Sequence, residues 1–202
     1  VHATLQKPEK NMQIRAILFA AVLGAASCGI ALGQQAAAAA KVPSGINFAF
    51  DAQHGQMTAS GYTLKPASSE ATSTSVSGTV EVTLTLNLVT KFKRDTVFPC
   101  AAIMIGGQID TDNFILDGGV ETASGVAHVS SANSTTATCK LAIPYSWTLQ
   151  NDSGASSGLL IAFAAAGVNQ GGATARSTLQ ITGIQALPAS GATTAYAFNA
   201  TL

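Results

Sequence analysis

Charge is scarce in this chain. Lys and Arg number ten, Asp and Glu number ten, and together they make up 10% of 202 residues. No run of basic residues could neutralise a phosphate backbone, so a nucleic-acid partner held by counterion release is disfavoured and none is expected. Histidine is rarer still, at His2, His54 and His128, which leaves few groups for acid–base chemistry. No stretch beyond the N-terminal region carries a helical period of apolar residues, which disfavours helical and α/β architectures. No internal repeat of useful length is present either, which argues against a solenoid or propeller. Ser, Thr, Ala and Gly dominate instead. The expected surface is therefore one of hydroxyls and small apolar groups.

The uncharged character is most pronounced near the start. Lys7, Lys10 and Arg15 are followed by a stretch without charge from Ala16 to Ala40. A basic start, an apolar middle and a small-residue exit are the three parts of a secretory signal peptide. Ala31-Leu32-Gly33 places small residues where signal peptidase reads them, so cleavage is expected before Gln34, or failing that within Ala36–Ala40. A retained helical span needs about 20 apolar residues. Ala16–Gly33 approaches this length but is rich in Ala and Gly, with no aromatic or basic stop on its far side. A lipoprotein anchored at Cys28 is the other alternative. It is weakened by the apolar Gly29-Ile30-Ala31-Leu32 that follows, where a polar tether is expected. Val1–Asn11 ahead of Met12 reads as a non-ATG start taken literally or a false upstream start, which suggests a bacterial gene. The expected organisation is an N-terminal extension and signal peptide at 1–33, an Ala-rich linker at 34–45 and one domain at 46–202. In every variant the positive flank stays inside, and the domain lies outside the cytoplasm: secreted, periplasmic or at the cell surface.

Of three cysteines, Cys28 leaves with the leader. Cys100 and Cys139 remain, and in an oxidising compartment an even number reads as one disulfide. Closing the loop between them would contribute about 3–4 kcal/mol through chain entropy.

Period-two alternation dominates the rest. In TVEVTLTLNL, Val80, Val82, Leu84, Leu86 and Leu88 share one face, and Thr, Glu and Asn residues the other. In ATCKLAIPYSWTL, Cys139, Leu141, Ile143, Tyr145, Trp147 and Leu149 share a face. Pro144 places this strand at an edge or a bend. FPCAAIMIGG puts Phe98, Cys100, Ala102 and Met104 together. LLIAFAAAGV, 159–168, is apolar on both parities and is expected to be the most buried strand. TLQITGI, TTAYAFNATL and the shorter INFAFD and MTASGYTL complete the set, separated by Gly-, Ser-, Asn- and Pro-rich breakers. The expected fold is all-β, an antiparallel β-sandwich of about 8–10 strands, immunoglobulin-like or jelly-roll-like, after a helical signal peptide. The tryptophan between two cysteines that marks immunoglobulin domains is missing, since Trp147 follows Cys139.

Candidate sites are few. Gly154–Gly158, GASSG, has the spacing of a nucleophile elbow around Ser156, but the elbow needs a following helix and a later histidine. Asp110, Asp112, Asn113 and Asp117 form a generic oxygen-rich loop that could attract calcium. Phe114 and Ile115 break the EF-hand pattern, so turn chemistry is the better expectation. His54, near Asp51, and His128 lack a second ligand at metal spacing. Tyr145 and Trp147 could make a sugar-stacking platform, though the face they share with Cys139 and Ile143 reads as core. Lys91, Lys93 and Arg94 read as a solvated strand end. No cofactor or catalytic set is expected. The functional expectation is an exported non-enzymatic β-protein with a structural, surface, adhesion or binding role. A protein or polysaccharide partner at the cell surface is expected, with membrane contact only through a retained signal segment. The alternatives are a carbohydrate-binding module and a pilin-like subunit completed by strand donation.

Overall fold

The structure is a computed structural model of the chain and describes residues 45–64, 73–92, 96–109, 115–150, 156–168 and 174–202. The expected leader, its cleavage region and Cys28 lie outside the described residues, as do Asp110, Asp112, Asn113, Lys93 and Arg94. All regular structure among the described residues is β.

The longest ladder joins β4 (Ser73–Phe92) to β8 (Ser134–Gln150), antiparallel. Alternation decides its faces. Val80, Val82, Leu84, Leu86 and Leu88 are all buried, and opposite them lie Ile143, Leu141, Cys139 and Ala137, on the same face of the neighbouring strand. β12 (Thr193–Thr201) lies on the other side of β4, with Tyr196 beside Val82 and Phe198 beside Leu84. It runs parallel to β4, unlike the antiparallel pairing expected throughout. The cause is the preceding turn. Gly191, at φ 80°, lets the chain dock on the start of β4, where Gly191 N donates to Ser77 O and Thr79 N to Ala192 O. From there the chain can only leave in the direction of β4.

The remaining long strands are β5 (Val97–Ile109), β7 (Gly119–His128), β9 (Ser156–Val168) and β10 (Thr174–Ile181), each antiparallel to its neighbour. The two-residue β11 (Gln185–Ala186) also pairs with β9. β9 is buried on both faces from Leu159 to Ala166, as its unbroken apolar run requires. Its inner face, with that of β5, joins the β4 and β8 side chains in one core that includes Met104, Ile161 and Phe163. The outer face carries Ile103, Ile105 and Leu160. It is covered by a hairpin of β1 (Asn47–Asp51) and β2 (Gln56–Ser60) that contributes Met57, with Ile46 beside it and Phe48 and Phe50 packed at its margin. Two short strands, β3 (Thr63–Leu64) and β6 (Ile115–Leu116), form a separate parallel pair.

The order across the main sheet is β10-β9-β5-β7-β8-β4-β12. One join is thin. β7 is laddered to β8 only at His128 opposite Thr138; beyond that pair the two strands meet through side chains, with Leu141 against Gly125 and Trp147 against Gly119 and Glu121. The sheet curls there, so inward residues of both halves share one core. Pro144 fits this opening. Thr79, its partner, directs its N–H towards Ala192, so Pro144 sits in a pair without ladder bonds to β4, and its nitrogen faces the side where β7 forms no ladder pair.

Candidate functional site

Cys100 on β5 and Cys139 on β8 are bonded, with Cα atoms 6.7 Å apart, inside the span a disulfide can bridge. Both are buried among inward-facing residues. The pair lies beside the thin join: Thr138, next to Cys139, is the residue that pairs with β7, and Cys100 pairs with Gly125 of β7.

Tyr145 and Trp147 are each 4% exposed, so they are part of the core and offer no platform for a sugar. Their rings lie 4.7 Å apart. The indole occupies a slot made by two glycines opposite one another on β5 and β7, Gly106 and Gly119. A Cβ on Gly106 would run into the six-membered ring, and one on Gly119 would stand 2.6 Å from Nε1. Trp147 Nε1 donates to Glu121 Oε1 at 3.3 Å, which satisfies its one polar group. The Tyr145 hydroxyl is buried, faces Gly78 and finds no protein hydrogen-bond partner among the described residues. Burial pushes its phenol pKa up. That of Tyr196 is raised too, by burial and then by the charge Tyr145 would acquire.

The remaining candidates are turn and strand residues. Asp117 is buried and its Oδ2 accepts from Gln150 N at 2.8 Å, tying the turn before β7 to the end of β8. It does not come together with any other two His, Cys, Asp or Glu side chains as a metal-binding group among the described residues. Asp51 closes the β1–β2 turn, where its Oδ1 accepts from the backbone nitrogens of Gln53 and His54 and its Oδ2 pairs with His54 Nδ1. The hydrogen bonds from His54, side chain first, hold the Asp51 carboxyl below its usual range. Both side chains are exposed. His128 is the exposed last residue of β7. Ser156 is the first residue of β9, opposite Ile109, and it leads into a strand where a nucleophile elbow would need a helix. Lys91 is exposed near the end of β4.

A feature the sequence reading missed is a cavity of about 350 Å³ at the end of the curled sheet where β4 and β12 finish and β5 begins. Buried Leu88, Phe98 and Leu202 line it together with Phe92, and the Phe92 and Phe98 rings meet edge to face at 5.2 Å. Arg176 of β10 is its one charged lining residue among those described. Phe92 continues the even parity of β4 and could have been read as inward. Arg176 stands in a polar stretch that gives no such signal.

Comparison with protein-family models, with curated proteins and with solved structures finds no match to this chain.

Proposed function

We propose that this chain is an exported, non-enzymatic β-protein with a structural, surface or binding role. The observation that carries the reading is the Cys100–Cys139 bond through the core, since such bonds form and persist in oxidising compartments. The signal-like pattern of residues 1–33 and the low charge support it. We also read the curled sheet as a two-layer sandwich, with β10-β9-β5-β7 facing β8-β4-β12. The single β7–β8 pair and the shared core support this.

The experiment is expression with the native leader in a bacterial host, followed by fractionation and intact-mass measurement. The expected product lies outside the cytoplasm, begins between Gln34 and Lys41, carries no lipid and contains no free thiol. A diacylated N-terminal Cys28, or reduced Cys100 and Cys139 in the isolated protein, would overturn the reading.

The pilin-like alternative has one observation in its favour. β10 and β12 are the two ends of the strand order, the kind of edge to which a donated strand adds. Against it, Gln180 Nε2 of β10 donates to Asn199 O of β12 at 2.9 Å and holds these edges to one another. A stable, monodisperse monomer from isolated expression would dispose of it.

A further inference from the structure

We propose that the cavity at the end of the sheet is a binding site for a small aliphatic carboxylic acid, with its tail against Leu88, Phe92, Phe98 and Leu202 and its carboxylate on Arg176. The volume of about 350 Å³ falls within the ~300–1,000 Å³ typical of small-ligand pockets, which also favour an apolar lining with few polar groups. Two more apolar side chains stand in the open at the cavity, Val89 at 57% and Val97 at 48% exposure. An aliphatic tail would withdraw both from water.

Gly167 shows why the space is there. A Cβ at this position would lie 3.9 Å from Leu202 Cδ2 and from two carbons of the Phe98 ring, which is ordinary contact, and its backbone φ is one that any residue can adopt. At Gly106 and Gly119 the missing side chain is required by Trp147. At Gly167 a side chain would fit, and its absence leaves open volume.

Arg176 selects the head group. It is exposed, lines the cavity and pairs with no carboxylate among the described residues. A guanidinium matches a carboxylate through two parallel hydrogen bonds. Among the described lining residues there is one cation above an apolar floor, which suits a monoanion with a hydrocarbon tail. A sugar would want exposed aromatic faces and more hydroxyl partners. A peptide strand would need continuous free backbone, whereas β10 and β12 are tied together by Gln180 and Asn199.

The test uses the oxidised protein with decanoate, decanol and decyltrimethylammonium, each below its micelle concentration, followed by calorimetry and by backbone amide shifts. Decanoate is expected to bind one to one, with shifts clustered at 88–92, 96–98, 167 and 176. Decanol should bind about tenfold more weakly for want of the charge-assisted pair, and the ammonium not at all. Arg176→Gln should reduce decanoate to the affinity of decanol. Gly167→Leu should abolish both by filling the cavity. Val97→Glu, an exposed change that leaves the core alone, should repel decanoate and spare decanol, which keeps the test decisive if Gly167→Leu fails to fold. Equal binding of decanoate and decanol, unchanged decanoate affinity in Arg176→Gln or Val97→Glu, shifts centred elsewhere, or binding of an extended apolar peptide in place of decanoate would overturn the proposal.

Discussion

At the scale of single residues, the aromatic pair on β8 shows how one strand can hold both a well-satisfied and a poorly satisfied side chain. Trp147 has its slot and its acceptor. Gly106→Ala forces a methyl group into the indole, and overpacking of this kind costs about 1–3 kcal/mol; the expected result is a lower melting temperature with a changed tryptophan emission. Tyr145 has a buried hydroxyl with no protein partner. Leaving such a group unsatisfied is unfavourable by roughly 1–3 kcal/mol, so Tyr145→Phe should leave stability unchanged or raise it in denaturant melts. A clear loss would show that the hydroxyl is bonded after all. The same burial gives a pH dependence. The Tyr145 and Tyr196 phenols titrate higher in the folded than in the unfolded chain. Their contribution is therefore fully present below the unfolded value of about 10 and is lost as pH rises through the folded values. Phenolate absorbance should show Tyr145 and Tyr196 titrating late, and Tyr145→Phe should resist alkaline unfolding better than the parent. On β4, Leu84 is buried while Thr85 lies on the opposite face. Leu84→Asp places an unpaired carboxylate in the core at a cost of several kcal/mol, whereas Thr85→Asp should shift the melting temperature little.

At the scale of elements, strands with a strong alternating signal were legible and those without one were not. β4 and β8 could be read face by face because large apolar and polar residues alternate along them. β9 could be read as buried because polar residues are missing from both of its faces. β7, GVETASGVAH, gave no such signal. Its inward positions are Glu121, Ala123, Gly125 and Ala127, small or polar, while Val120 and Val126 fall on the other parity. The reason is steric: Gly125 faces Leu141, whose Cδ2 would stand 2.9 Å from an added Cβ, and Gly119 faces Trp147. A strand shaped to make room for its neighbours' large side chains loses the hydrophobic pattern that would announce it. The parallel entry of β12 was hidden for a different cause, since alternation reports faces and not direction. Its packing is testable: Phe198 lies against Phe163 with ring centroids 4.3 Å apart, and because it is only partly buried, Phe198→Ala should lower stability by about 2–3 kcal/mol, below the full core range. Of the candidate sites, the disulfide was legible from strand parity and from the two cysteines that remain once the expected leader is set aside. The cavity was not, because it is assembled from the ends of strands far apart in sequence.

At the scale of the whole molecule, two cores on either side of β5 and β9 leave the fold well supported without its covalent link. Cys100→Ala combined with Cys139→Ala should lower stability by roughly 2–4 kcal/mol while the far-ultraviolet spectrum stays that of a β-protein. Complete unfolding of the double variant would mean that the packing on both faces contributes less than its burial suggests.

The position of that link has a mechanical meaning. The ladder of the sheet breaks off between β7 and β8 after one pair, and the sulfur bridge sits at that break like a rivet. A pull that tries to peel the two halves apart meets a covalent bond just after the single hydrogen-bonded pair, so the tear stops where it starts. Along the chain, the 39-residue separation of Cys100 and Cys139 is withheld from extension. In single-molecule stretching the oxidised protein should fall short of its full contour length by about 130 Å, at ~3.3–3.6 Å per extended residue, and reductant should release that length in one step.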